Sequence, residues 1–132
     1  MRFTNNEQKL TEKELFEFEK EFNLKLPESY RNVILEYNGG SPEKKYINGT
    51  DILFLPIKYG NYNINKIIRL SINFLPKGFF PFGEDLVGAT FCISLNKEDY
   101  EIIYLVDETG EIKLVAESFE DFMNELSDDP DY

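Results

Sequence analysis

The chain has 132 residues, a formal net charge of −11, twelve phenylalanines, one cysteine and no histidine. Its length suits one domain that buries roughly two thirds of the surface its unfolded chain exposes, with no need of a disulfide or metal staple. A lone Cys92 and the absence of histidine exclude an internal disulfide, a Cys/His zinc centre and every catalytic scheme that depends on imidazole.

The amino terminus lacks an apolar signal core, and no run approaches the length of a membrane span, so a cytoplasmic location is expected. Acidity is uneven: residues 81–132 hold fifteen of the twenty-five acidic residues against two lysines. Such a field repels nucleic acid and anionic membrane and accelerates encounter with a basic protein; solubility alone is the competing reading.

In chain order, Thr11 and Glu14 have capping-box spacing, and Leu10 with Leu15 has that of a hydrophobic staple, so a first helix is predicted over Glu12 to Phe22. Leu15, Phe18 and Phe22 form its apolar stripe. A second helix follows Pro27, with Tyr30, Val33, Ile34 and Tyr37 facing inward and Asn38-Gly39-Gly40 ending it. Residues Ser41 to Thr50 read as a polar loop with a turn at Asn48-Gly49, and Asp51 to Ile57 as a short strand limited by Pro56. Between Lys58 and Lys77, the spacing of Ile64, Ile67, Ile68 and Ile72 slightly favours a short helix over an irregular connection.

Phe79 to Asn96 joins an aromatic segment, an acidic loop between Gly83 and Gly88, and a strand alternating from Ala89. Around Pro81 the chain is expected to be extended, with the rings of Phe80 and Phe82 on opposite sides. Ala89, Phe91, Ile93 and Leu95 share one strand face; Thr90, Cys92, Ser94 and Asn96 share the other. A tight link at Lys97-Glu98-Asp99 leads to a strand over Glu101 to Asp107, expected to lie centrally because both its faces are apolar. A hairpin at Glu108-Thr109-Gly110 turns into a third antiparallel strand, Glu111 to Ala116. Ser118 and Asp121 repeat the capping spacing before a last helix with Phe119, Phe122, Met123 and Leu126 inward. The reading is one domain over 1–132, with 1–9 and 127–132 weakly ordered. Its class is α+β: a mainly antiparallel sheet with two N-terminal helices and one C-terminal helix packed against it.

Glu84 and Asp85 are open to three readings: contact with a basic partner, metal binding, or solvation of a loop. Adjacent carboxylates alone do not make the oxygen cage a cation needs, so no metal and no cofactor is expected. Glu98, Asp99, Glu101, Asp107, Glu108 and Glu111 lie in or beside the turns of the same sheet. They are expected either to extend one acidic edge or to guard an edge strand against aggregation. Tyr100, between two acids, is the candidate for an exposed aromatic contact, whereas Tyr30 and Tyr37 belong to the core. Cys92 reads as a small buried packing residue. The carboxylates show no convergent spacing that would point to an enzyme.

Four segments in order carry a family resemblance over Leu10 to Leu126. They are Leu26-Pro27-Glu28-Ser29-Tyr30-Arg31 leading to Tyr37-Asn38-Gly39-Gly40, then Phe80-Pro81-Phe82-Gly83-Glu84-Asp85, then Gly88 before Phe91-Cys92-Ile93, and Val115 to Phe122. Together they resemble the SUKH superfamily, which includes bacterial toxin-immunity proteins and a fungal regulator of cell-wall assembly. The chain departs from the family's usual pattern at Leu86, Val87 and Ala89, where glycine and polar residues are common, and at Ser94, where aspartate is. The resemblance implies an α+β domain and a non-catalytic binding role: an immunity protein that neutralises a cognate polymorphic or contact-dependent bacterial toxin. The expected partner is a basic toxin domain, a nuclease by the same resemblance, met by Glu84, Asp85, Glu98, Asp99, Tyr100, Glu101, Asp107 and Glu108. The alternative is an intracellular scaffold or regulatory domain like the fungal branch.

Overall fold

The computed structural model of the chain describes residues 1–70 and 74–132. Helix α1 (Glu12–Phe22) begins where the sequence predicts: Thr11 Oγ1 accepts the Glu14 N–H at 3.1 Å and the Glu14 carboxylate accepts the Thr11 N–H at 3.0 Å. These bonds satisfy two of the donors a helix start leaves open. Leu10 and Leu15 are both buried, and Asn23 closes the helix in the left-handed conformation. Helix α2 (Glu28–Glu36) follows Pro27, buries Tyr30 and Ile34, and lies beside α1 through the Arg31–Glu19 ion pair.

Among the described residues, nine strands join α3 (Ile64–Leu70) and α4 (Phe119–Glu125). The main sheet is antiparallel, in the order β5 (Leu53–Phe54), β6 (Phe79–Glu84), β7 (Thr90–Ser94), β8 (Ile103–Val106), β9 (Ile112–Ala116). One face carries the aromatic core: Tyr30 meets Phe80, Phe82 and Phe119 edge-on at 5.3, 6.2 and 5.4 Å between ring centroids, and Phe122 packs on Phe82 and Phe91. The first, second and fourth helices therefore sit against the sheet as expected, held by the burial of large rings that dominates core energetics. Ser118 caps α4 by accepting the Asp121 N–H at 3.0 Å. The short helix favoured in the 58–77 stretch is α3, with Ile64 and Ile67 buried; Ile72 lies outside the described residues.

Several expectations need correction. Phe80 and Phe82 share one face, since both touch Tyr30, and they do so across a register shift between Pro81 and Gly83 that leaves Phe82 without a paired residue on β7. The strand enclosed on both faces is β7 rather than β8: Phe91, Cys92, Ile93 and Ser94 are all buried, while Tyr104 and Leu105 are half-buried. The expected loop 41–50 contains β2 (Ser41–Pro42) and a hairpin of β3 (Tyr46–Ile47) and β4 (Thr50–Asp51). Positive φ at both Asn48 (51°) and Gly49 (77°) is what a two-residue primed turn requires.

The ends also dock. β1 (Phe3–Thr4) pairs with β2, and Phe3 stacks on Tyr37 at 5.0 Å. Ser127 exchanges backbone bonds with Tyr46 at 2.9 Å in each direction, and the Gly49 N–H donates to the Tyr132 carbonyl at 2.8 Å. Nonlocal partners of this kind leave no trace in local sequence pattern. Behind β2, Asn38 is buried and its amide joins three segments: Nδ2 donates to the Gln8 and Ile57 carbonyls, both at 2.9 Å, and Oδ1 accepts the Ile57 N–H at 2.8 Å.

Candidate functional site

The eight sequence-predicted contact residues fall at two ends of the sheet. The β6–β7 and β8–β9 turns lie together, because Glu84 pairs with Thr90, Thr90 with Val106 and Val106 with Ile112 across one row. This end holds Glu84, Asp85, Asp107 and Glu108. The β7–β8 link lies at the other, with Glu98, Asp99, Tyr100 and Glu101. The five residues of β7, at about 3.3 Å each, separate the two groups by about 15 Å. One continuous acidic edge through Glu84, Asp85, Asp99 and Asp107 is therefore not formed.

At the far end the polar groups serve the fold. The Asp99 carboxylate accepts the Ser94 hydroxyl at 2.5 Å and the Tyr104 hydroxyl at 2.7 Å, closing the short 3-10 turn over Lys97–Asp99. Those two bonds, Ser94's first, lower its pKa from the ordinary 3.8. A carboxyl whose folded pKa is depressed stabilises the fold above its unfolded value and loses that contribution as pH falls through the folded one. We expect Asp99→Asn to lower stability near neutral pH, where the charged acceptor contributes, and to flatten the further loss below pH 3.8, so that the variant and the parent chain converge in acid; chemical denaturation from neutral pH down through that acid limb checks it. Tyr100 is partly exposed, but its hydroxyl donates to the Lys25 carbonyl at 2.6 Å and ties the link to the helical hairpin. Glu98 is exposed with no side-chain bond among the described residues, and Glu101 holds a positive φ of 76°.

The near end is built from two loops of one design. Asp85 Oδ1 accepts the N–H groups of Val87 and Ala89 at 3.0 and 2.9 Å; Asp107 Oδ1 accepts those of Thr109 and Glu111, both at 2.9 Å. In each loop the aspartate N–H also donates to the carbonyl four residues on, at 3.0 Å. Gly88 (φ 93°) and Gly110 (φ 90°) occupy the position where a three-residue hairpin turns left-handed. Asp85 is further held by the Thr50 hydroxyl at 3.1 Å, and Asp107 by the Thr109 hydroxyl at 2.6 Å. The Thr109 bond, then the backbone bonds, hold the Asp107 carboxyl below its usual range.

Asp85 and Asp107 are thus loop latches, and the residues between latch and glycine are what the loops display. Leu86 is 84% exposed and Val87 75%, an apolar tip; Glu108 and Thr109 form its polar counterpart. The sequence reading missed the tip because Leu86 and Val87 were read as departures in loop shape. The signal lay in the glycine brackets, which leave the residues between them no core to enter. Beside the tip, Glu84 accepts the Tyr62 hydroxyl at 3.0 Å, and that phenol is pushed up to about 12 by burial and by the carboxylate.

Carboxylates flank this tip on the two neighbouring turns, Glu84 and Asp85 on its own and Asp107 and Glu108 on the next. The Thr50–Asp85 bond brings the β3–β4 hairpin alongside, and that hairpin anchors the tail bearing Asp128, Asp129 and Asp131. Among the described residues, the ion pairs use only Glu14, Glu19, Glu21 and Glu28, so no carboxylate from Glu84 onward is neutralised by a cation. Nor do three or more Cys, Asp or Glu side chains converge there as a metal would require. Cys92 is buried, and burial raises its thiol pKa, which makes it inert packing. No helix among the described residues is long and apolar enough to cross a membrane.

A family model described as SMI1 / KNR4 family (SUKH-1) matches residues 9–125. No curated protein matches the chain.

Proposed function

This chain belongs to the SMI1/KNR4 family (SUKH-1), and from that membership we propose that it is a cytoplasmic immunity protein that binds and neutralises a cognate toxin domain one to one. It acts by binding rather than catalysis. The observation that carries this reading is the Leu86–Val87 tip, exposed on a latched loop at a sheet end whose carboxylates have no cationic partner among the described residues. An apolar anchor flanked by one sign of charge fits a basic protein surface with an apolar notch: the anchor supplies desolvated contact and the flanking charge steers encounter. A nucleic-acid-cleaving toxin presents such a basic surface, and a tip seated at its substrate groove would exclude the substrate.

The test is titration calorimetry of the purified chain against the carboxyl-terminal domain encoded by the adjacent upstream gene, at two salt concentrations. Tight one-to-one binding that weakens with salt is the expected result. No binding at either salt would reject that domain as the partner.

A further inference from the structure

The two edges of the main sheet are unequal. β5 contributes two residues, and its Phe54 is already bridged to Gly40 by backbone bonds of 2.9 Å in each direction. β9 has five residues, contains no proline, and exposes Ile112 (45%) and Leu114 (56%). Its pairing with β8 shows which backbone groups are free. The Asp107 N–H donates to the Glu111 carbonyl, so the alternation of an antiparallel ladder places the next bonded pair at Leu105 and Lys113. The N–H and C=O groups of Ile112 and Leu114 then point away from β8, and among the described residues no other backbone group bonds to them.

Unpaired edge strands are templates for a further strand, and proteins usually blunt them with lysine, proline or a covering element. Lys113 is the only such device in β9. Around it the charge is of one sign: residues 107–121 hold Asp107, Glu108, Glu111, Glu117, Glu120 and Asp121 against Lys113 alone. A second copy of this chain is a poor occupant. The register of greatest overlap, with Leu114 opposite Leu114, sets Glu111 against Glu117, and each copy brings a net charge of −11. We infer that β9 is a docking edge for an extended, basic segment of a partner protein, added as a sixth strand through the backbone of Ile112 and Leu114. Backbone bonds supply attachment, and the partner's alternate side chains meet the exposed Ile112–Leu114 face or the flanking carboxylates. This goes beyond the tip reading, since toxin could bind the hairpin end without touching β9.

The experiment needs no toxin. A short peptide alternating lysine and valine is titrated into the isotopically labelled full chain and followed by amide NMR, with an alternating glutamate and valine peptide as the control. The Ile112 and Leu114 amides are expected to exchange freely in the unliganded chain, and to shift and gain protection with the basic peptide, which binds about ten-fold or more tightly than the acidic one. Leu114→Pro removes one outward N–H without breaking the β8 ladder and is expected to lose that binding about ten-fold, whereas Leu114→Thr, which keeps the N–H, retains it. The inference is overturned if those amides stay unmoved, are already protected in the free chain, respond equally to both peptides, or pair with a second copy, seen as concentration-dependent dimer by sedimentation. Failure here leaves the calorimetric test of the hairpin end standing, and the reverse.

Discussion

Leu86→Asp is expected to weaken binding of the proposed toxin partner by roughly thirty-fold or more, on the order of 2 kcal/mol, with the melting temperature unchanged. Leu86 touches no core residue, and its loop is shaped by the Asp85 latch and Gly88, so the fold has no stake in its side chain. At the centre of an interface, by contrast, a charge would enter a contact that desolvation by an apolar group makes favourable. Glu108→Gln on the neighbouring loop should behave differently, slowing association and reducing its salt dependence while the dissociation rate holds. Calorimetry and association kinetics on both variants separate anchor from steering. If neither changes, the partner sits elsewhere, and β9 becomes the first surface to examine.

The largest effect on stability is expected from Asn38→Leu. The replacement is close in volume and apolar, yet both backbone groups of Ile57 lose their partner in a buried place and the Gln8 carbonyl loses its own in a part-buried one. Each stranded group costs about 1–3 kcal/mol, so a loss on the order of 4 kcal/mol follows, against a total of about 5–15 kcal/mol for a domain. The segment between β1 and α1, the end of α2 and the segment after β5 should loosen together, since the one amide holds all three. Urea unfolding checks this; a loss under about 1 kcal/mol would mean that water replaces the amide.

Local signals located the helices: Thr11 with Glu14, and Ser118 with Asp121, set the starts of α1 and α4 because a cap is a contact within one turn. The docked ends were not legible, since Phe3 on Tyr37 and Ser127 on Tyr46 are contacts across the whole chain. The division of the acidic residues was legible and was missed. The turns before and after a single strand must lie at its opposite ends, so assigning β7 already separated Glu84 and Asp85 from Glu98 and Asp99. Period two in a regular strand likewise favours one face for Phe80 and Phe82, which their contacts with Tyr30 show despite the register shift beside Phe82. What sequence could not reveal is which carboxylates are spent internally: Asp85, Asp99 and Asp107 hold hydroxyl or backbone donors, whereas Glu108 is left to solvent.

The paired Asp-x-x-Gly loops separate architecture from message. In each, an aspartate and a glycine fix the path of the chain; of the residues between them only Thr109 adds a side-chain bond to that path, its hydroxyl donating to Asp107. Leu86, Val87 and Glu108 are in this sense words set in like frames, free of the bonds that hold the frame. Such an arrangement lets the display at Leu86, Val87 and Glu108 be rewritten without renegotiating how the loops fold.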